Sequence, residues 1–220
     1  MMTVTLEEVI AMNGLLDQKA IEGIIMKPSQ LPEEERLRQV NESFTKKEFI
    51  IDGKLTDKFM VTAELLRRYK GSKHKIFINQ LRMALVDDNF AIVLELLPDD
   101  KISISYVPQI TVVKKYIEAS DFLKKAQKKK FFPYEKVACT VAEYEADLDR
   151  KEWTSLMVIQ VYKNVRMKSY LTYYFDEEEA YCFDHIEKTK QERGANDFRI
   201  DLAKLFEEGE ADEQDVEFDD

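Results

Sequence analysis

Residues 75–107 read KIFINQLRMALVDDNFAIVLELLPDDKISISYV, and this stretch decides the fold. It predicts three short antiparallel strands, with tight turns at 87–89 and 98–100 where Asx side chains and proline favour a reversal of the chain. Side chains alternate between the two faces of a strand, so every second residue of the middle strand shares one face. That face carries large apolar residues: Phe90, Ile92, Leu94 and Leu96. The pattern is typical of an antiparallel meander.

Strand patterns return in the second half of the chain. Residues 153–162 are apolar on both faces, which is typical of a central strand. Residues 170–175 and 180–185 predict a hairpin, and Asn196 or Asp197 can cap a final helix. Three strands followed by helices therefore occur twice. Six antiparallel strands could merge into one sheet covered by helices, or they could form two separate three-stranded sheets. The apolar area buried by merging favours the single sheet.

Helices are predicted before and after the first strands. Thr5 and Glu8 have the spacing of a capping box, Pro32 suits a first helical turn, and Thr56 can cap a third helix. Residues 111–130 predict one helix or two broken near Ser120, and residues 134–148 predict another. Apolar residues at helical spacing are expected to face inward: Leu37, Val40 and Phe44; Phe59, Met60, Ala63 and Leu66; Val137, Val141, Tyr144 and Leu148.

These elements predict an α+β fold in one domain over residues 1–208. Its parts are a helical region (1–72), the first strand triplet with its helices (73–150), and the second triplet with a terminal helix (151–208). Helix, short extended piece and helix also begin a winged-helix domain. The segment lacks the basic recognition face that DNA binding requires, so that interpretation is disfavoured.

The net charge of −10 is concentrated at the end of the chain. Residues 207–220, EEGEADEQDVEFDD, contain nine acids and no Lys or Arg, which leaves the rest of the chain nearly neutral. Such a block predicts a solvated, disordered tail over 209–220. It also disfavours nucleic acid as a partner, because phosphates are repelled. The lysines at 124–130 form a basic cluster without base-stacking aromatics between them, and they are expected to coat a helix end.

Other features indicate a cytoplasmic protein without stable membrane insertion. No apolar run reaches the roughly 18 residues that a membrane span needs. The N-terminus, MMTVTLEEVIA, has no basic region followed by an apolar segment, so no secretory signal is evident. Cys139 and Cys182 lie far apart in apolar contexts, which favours two free thiols in a reducing compartment over a disulfide.

No motif nominates a catalytic, cofactor-binding or metal-binding residue. The chain has no G-x-G-x-x-G, P-loop or G-x-S-x-G pattern. Its two histidines, His74 and His185, lack a set of partners, and alternation places Cys182 and His185 on opposite faces of one strand. Acid pairs fall in predicted turns, where solvation explains them. We therefore expect no enzyme, no cofactor and no metal.

An aromatic cluster in the predicted hairpin is the one candidate site. Six rings occur within fourteen residues, on both faces: Tyr170, Tyr173, Tyr174, Phe175, Tyr181 and Phe183. They could form a core on one face with cross-strand pairs on the other. Alternatively, they form a Tyr-rich partner-binding patch, because Tyr is favoured at the centres of interfaces.

The first half of the chain resembles the EspG-type chaperones of type VII secretion. The resemblance lies in SFTKKEFIIDGKLTDKFMVTAELLRRYKGSKHKIFINQ and RMALVDDNFAIVLELL, where an acid-Gly passage precedes a helix, a strand and a meander. Phe49, Ile50, Asp52, Gly53 and Leu55 occupy that passage. The opening helix at 6–9 also resembles the family's first helix. The Lys/Glu-rich composition is similar to that of the branch in low-GC Gram-positive bacteria.

The resemblance implies a pseudo-twofold central sheet with helical subdomains. It also implies a cytosolic, non-enzymatic chaperone that binds the aggregation-prone end of a helical secretion substrate. The alternative is an immunity protein that neutralises a secreted toxin, since acidic character would steer it towards a basic nuclease.

Overall fold

The computed structural model describes residues 1–17, 19–25, 31–124, 135–150, 152–153, 155–175 and 180–207. Within these ranges, ten antiparallel strands, a two-stranded hairpin and seven helices confirm the predicted α+β class. No helix in the described ranges is long and apolar enough to cross a membrane. The elements in chain order are β1 (Met2–Thr5), α1 (Leu6–Leu15), α2 (Glu33–Lys46), β2 (Ile50–Ile51), β3 (Lys54–Leu55), α3 (Asp57–Gly71), β4 (His74–Ile78), β5 (Leu81–Leu85), β6 (Phe90–Leu97), β7 (Lys101–Pro108), α4 (Gln109–Ala119), α5 (Asp121–Lys124), β8 (Val137–Ala138), α6 (Val141–Asp149), β9 (Ser155–Lys163), β10 (Arg166–Phe175), β11 (Ala180–Asp184), β12 (Thr189–Glu192) and α7 (Ala195–Glu207).

The chain divides into two compact units. The first contains Met1–Ser72, Gln80–Val86 and Ala91–Val107, and the second contains Lys73–Asn79, Asp87–Phe90 and the chain from Pro108 onward. Helices α1 to α3 belong to the first unit, and helices α4 to α7 belong to the second.

In the first unit, four strands run in the order β1-β7-β6-β5. Ala91 and Val93 are buried on one face of β6, and Ile92 and Leu94 are fully buried on the other, where the sequence places large apolar residues. Ile92 and Leu94 join a core that also contains the rings of Phe44, Phe49 and Phe59. These three rings meet edge to face with centroids 5.5 to 6.0 Å apart, the geometry that aromatic quadrupoles favour.

The meander region contains one more strand than the sequence predicted. The chain turns between β4 and β5 at Asn79, whose φ is 48°, so residues 74–85 form two strands instead of one. Asn tolerates this left-handed conformation better than most residues do. Strand β1 was also not predicted. It pairs with β7 in the register Met2 opposite Ile104 and Thr5 opposite Lys101.

In the second unit, six strands run in the order β4-β9-β10-β11-β12-β8. Helices lie on both faces of these strands. Phe122 of α5 stacks on Phe175 of β10, with centroids 4.8 Å apart. On the opposite face, Tyr144 of α6 stacks on Phe183 of β11 with centroids 4.4 Å apart. Each strand of the hairpin therefore needs apolar residues at successive positions.

One helix prediction needs correction, and another is decided between its two alternatives. The helix predicted over 134–148 begins only at Val141, because Thr140 closes a capping box with Glu143. Val137 and Ala138 instead pair with β12 as a strand, so Val137 is exposed and does not face inward. Of the two alternatives for 111–130, two helices broken near Ser120 is confirmed up to Lys124, since α4 ends at Ala119 and α5 begins at Asp121. Residues 125–130 lie outside the described residues, as do the turn between the two hairpin strands at 176–179 and the tail at 209–220.

Candidate partner-binding surfaces

The predicted aromatic patch lies on the β10–β11 hairpin of the second unit, and most of it is buried. Tyr173, Tyr174, Phe175 and Phe183 are each at most 3% exposed, whereas Tyr170 and Tyr181 are half-buried. Four of the six rings are therefore core residues in this structure. Of the six, Tyr170 and Tyr181 are partly exposed to solvent. The partner-binding patch therefore stays a prediction for these two residues.

The strand alternation explains why both faces of the hairpin are aromatic. Tyr173 points to α7, where it stacks on Phe198 with centroids 4.1 Å apart. Its neighbour Tyr174 points to the other face, where Trp153 meets it edge to face at 4.8 Å. Each ring thus belongs to a different layer of the core.

The hydroxyl groups of these two tyrosines are satisfied inside the unit. Tyr173 donates to Oδ2 of Asp201 at 2.9 Å, and Arg193 forms an ion pair with the same carboxylate. Tyr174 donates to Oδ2 of Asp147 at 2.9 Å. Burial raises the pKa of both tyrosines well above the ordinary range, so both hydroxyls remain protonated donors.

Asp147 links α6 to the strands beneath it. Lys190 of β12 forms an ion pair with its carboxylate, and its backbone oxygen accepts a hydrogen bond from Trp153 Nε1 at 3.2 Å. Burial alone would raise the pKa of Asp147, but the hydrogen bonds from Lys190 and Tyr174 outweigh burial and lower it. These contacts tie α6 to β10, β12 and Trp153 within the second unit.

The structure confirms that Cys182 and His185 lie on opposite faces of the strands. Cys182 lies opposite Tyr173 in the strand register, on the α7 face. His185 contacts the other face, where Nε2 lies 2.8 Å from Oγ1 of Thr172 and the ring stacks on Tyr170 at 3.9 Å. Among the described residues, no group of three His, Cys, Asp or Glu side chains could hold a metal ion.

A cavity of about 250 Å³ lies between α7 and the strands of the second unit. Its apolar floor includes Ile159, Val161 and Leu171, and the Tyr173–Asp201–Arg193 cluster forms one wall. Tyr173 and Arg193 both bind Asp201 in this wall, whereas Nε of Arg193 is buried without a hydrogen-bond partner among the described residues.

The first unit contains a larger opening, a groove between α1 and α2, which we call the α1–α2 groove. Its volume is about 520 Å³. Its lining residues are Glu7, Ile10, Ala11, Gly14 and Leu15 from α1, and Glu33, Arg36, Leu37, Val40, Asn41 and Phe44 from α2.

The floor and the rim of the α1–α2 groove differ in burial. Val40 and Phe44 form a buried floor that is continuous with the core of the first unit. Leu15 and Leu37 stand at the rim with 65% and 54% of their surfaces exposed. Exposed leucines that border an apolar depression mark a surface to which another apolar group can bind.

Local sequence fixes the two helices that form the groove. Thr5 and Glu8 close the predicted capping box at the start of α1, with Thr5 Oγ1 accepting from the backbone of Glu8 at 3.2 Å. Helix α2 begins after Pro32, and its first turn contains Glu33, Glu34 and Glu35. Acids at that position complement the helix dipole, and Glu33 also lines the groove.

The sequence did not reveal this groove. Leu37 was expected to face inward with Val40 and Phe44, yet it is exposed, and the same is true of Met60 in α3 at 56%. Leu37 stands between Arg36 and Arg38, in a stretch of charged residues. This charged context is the feature of the sequence that indicates an exposed position. Leu15 is the last residue of α1 and is also exposed.

The fold and the groove define an α+β protein with a helix-lined apolar surface. Residues 1–194 match the family described as Domain of unknown function (DUF5081), which is most of the 220-residue chain. The chain therefore belongs to the DUF5081 family. No curated protein gave a match.

Proposed function

We propose that this protein is a cytosolic chaperone or adaptor for a type VII secretion system. It binds a helical secreted substrate and keeps that substrate soluble and competent for export. The observation that carries the proposal is the α1–α2 groove, where two exposed leucines border a buried apolar floor. The resemblance of residues 43–80 to EspG-type chaperones supports the same role.

The physical basis is the recognition of a helix by a groove. An amphipathic helix lays its apolar face into such a groove, and residues spaced three or four apart provide the anchors. Without a partner, the apolar face of a small helical protein promotes aggregation. Covering that face during synthesis and storage keeps the substrate soluble, and no chemical step is needed.

Co-expression tests the proposal. The chain, carrying an affinity tag, is expressed with each small helical protein encoded beside it. We expect at least one of them to co-purify through size-exclusion chromatography and to become insoluble when expressed alone. An unrelated helical protein of similar size serves as the control. The absence of a stable complex with every neighbour would overturn the proposal.

The acidic segment at 207–220 supports one alternative, an immunity protein for a basic secreted toxin. In that case the chain would rescue cells that express the toxin, and deletion of Glu210 to Asp220 would slow association with the toxin by weakening electrostatic steering. A chaperone would not rescue growth, and the same deletion would change its complex little. A toxicity assay with both forms separates the two functions.

A further inference from the structure

The α1–α2 groove has the length of a short helix. Helix α1 contains ten residues. A helix rises 1.5 Å per residue, so this wall of the groove is about 15 Å long. A partner helix of about three turns would contact both Leu15 and Leu37 along this length.

Gly14 leaves open space in the wall. A Cβ atom placed on Gly14 would meet no atom within 4 Å among the described residues. Gly14 is also one of the residues that line the groove. An incoming side chain can therefore approach the α1 backbone closely at this point.

The charged residues around the groove indicate whether the partner helix is acidic or basic. Glu7 and Glu33 line it, and Glu34 and Glu35 follow in the first turn of α2. Arg36 is the one cation among the described residues that line the groove, and its Nε lies 3.9 Å from Oε2 of Glu7. The acids outnumber it, so basic residues beside the partner's apolar face would be attracted to the rim.

We propose that the α1–α2 groove binds a basic amphipathic helix of about three turns. The leucine side chains of that helix occupy the apolar floor beside Gly14, and its lysines or arginines face the acidic start of α2. This inference rests on the proposed function, and it assigns the site on the chaperone and the chemical class of the substrate segment.

A second copy of the chain is a poorer occupant. A twofold contact through the same groove would bring the acidic first turn of α2 close to its own copy. Like charges that face each other across an interface are unfavourable. The partner expected from these charges is therefore a different protein.

Two substitutions at Gly14 test the site without removing a core contact. Gly14→Trp fills the groove, and Gly14→Arg places a cation that repels a basic partner. Both residues have a higher helix propensity than glycine, so the thermal midpoint should not fall. Gly71→Trp in α3 is the matched control, since Gly71 is also helical and a Cβ atom there also meets nothing within 4 Å.

The first readout is retention of the co-expressed partner by the full chain. Both Gly14 variants should weaken the complex about tenfold or more, whereas Gly71→Trp should leave the affinity within twofold of wild type. If a partner co-purifies and the Gly14 variants retain it, the groove assignment is overturned and the proposed function stands.

The second readout does not require a natural partner. A labelled synthetic helix of about 15 residues has leucines on one face and lysines beside them, and a matched peptide replaces each lysine with glutamate. Fluorescence anisotropy should show at least tenfold tighter binding of the lysine peptide at low salt, with a smaller difference at high salt. Equal affinity for the two peptides, or tighter binding of the acidic one, would overturn the inference. A dimer of the chain that Gly14→Trp dissociates would also overturn it.

Discussion

Oε2 of Glu8 accepts a hydrogen bond from Nζ of Lys47 at 2.5 Å, and together the two residues cover the outer edge of β1. Lys47 also donates to the backbone oxygen of Thr3 at 3.1 Å, and the backbone N–H of Thr5 donates to Glu8 at 2.6 Å. Backbone groups two residues apart point to the same side of a strand. The pair therefore occupies the side of β1 that β7 leaves open, where an exposed strand edge would invite aggregation.

Removing the charge of Glu8 should destabilise the protein. Glu8 is fully buried, and its other oxygen accepts from Oγ of Ser43 at 2.7 Å. Glu8→Gln leaves Lys47 without its counter-charge, so we expect the free energy of unfolding to fall by about 2 kcal/mol. Urea denaturation measures this loss. Glu64→Gln, at an exposed ion pair with Arg67, is the control and should have no measurable effect. Equal losses in both variants would contradict the structural role of Glu8.

His185 should titrate below the usual range for histidine. Burial, followed by the nearby charge of Lys188, lowers its pKa from 6.5. The unfolded chain then binds the proton more readily, so the free energy of unfolding should decrease as the pH falls from about 6.5 through the folded pKa, and it should be unaffected above that window. The ring C–H resonance followed by NMR reports the titration, and His74→Gln assigns it. A midpoint at or above 6.5 would contradict the burial of His185.

Both cysteine thiols should react slowly in the folded protein. Neither forms a disulfide, as predicted. Burial raises the pKa of Cys182 to about 12 and also raises that of Cys139. The thiolate is the reactive form, so reaction with a disulfide reagent at pH 8 should be at least about tenfold slower than in denaturant. Single Cys→Ser variants assign the two rates. A rapid reaction of either thiol in the native state would show that it is accessible.

The sequence predicted features that depend on local periodicity. Alternation within five residues places Ile92 and Leu94 on one face of β6, and both are fully buried. It did not show that Ala91 and Val93, on the other face, are buried too. For Leu37 and Met60, helical spacing alone could not show where the buried stripe ends, because that depends on which helices pack beside α2 and α3.

Features that depend on distant contacts were not predictable. The capping role of Glu8 followed from Thr5, but its role at the strand edge requires Lys47, which is 39 residues away. The aromatic residues of the hairpin predicted either a core on one face with cross-strand pairs on the other or a partner-binding patch, and their alternation alone could not decide. Four of the six rings are buried because α6 and α7, which lie on either side of β10 and β11 in the chain, cover opposite faces of the strands.

Substitution of Leu37 should reduce partner binding without affecting folding. Leu37 is 54% exposed, so Leu37→Gln removes little buried surface from the free protein. In the complex it would lose an apolar anchor, and we expect affinity for the co-purified partner to fall about tenfold. Ile200 of α7 is 52% exposed and provides the matched control as Ile200→Gln. Isothermal titration calorimetry measures both. Equal effects of the two substitutions would remove Leu37 from the interface.

Hydrogen exchange of the purified chain, with and without its co-purified partner, tests the central claim most directly. Binding in the groove should slow exchange in α1 and α2, over residues 6–15 and 33–46, while the β10–β11 hairpin remains unchanged. Slower exchange confined to residues 166–184, with no change in α1 or α2, would contradict the account.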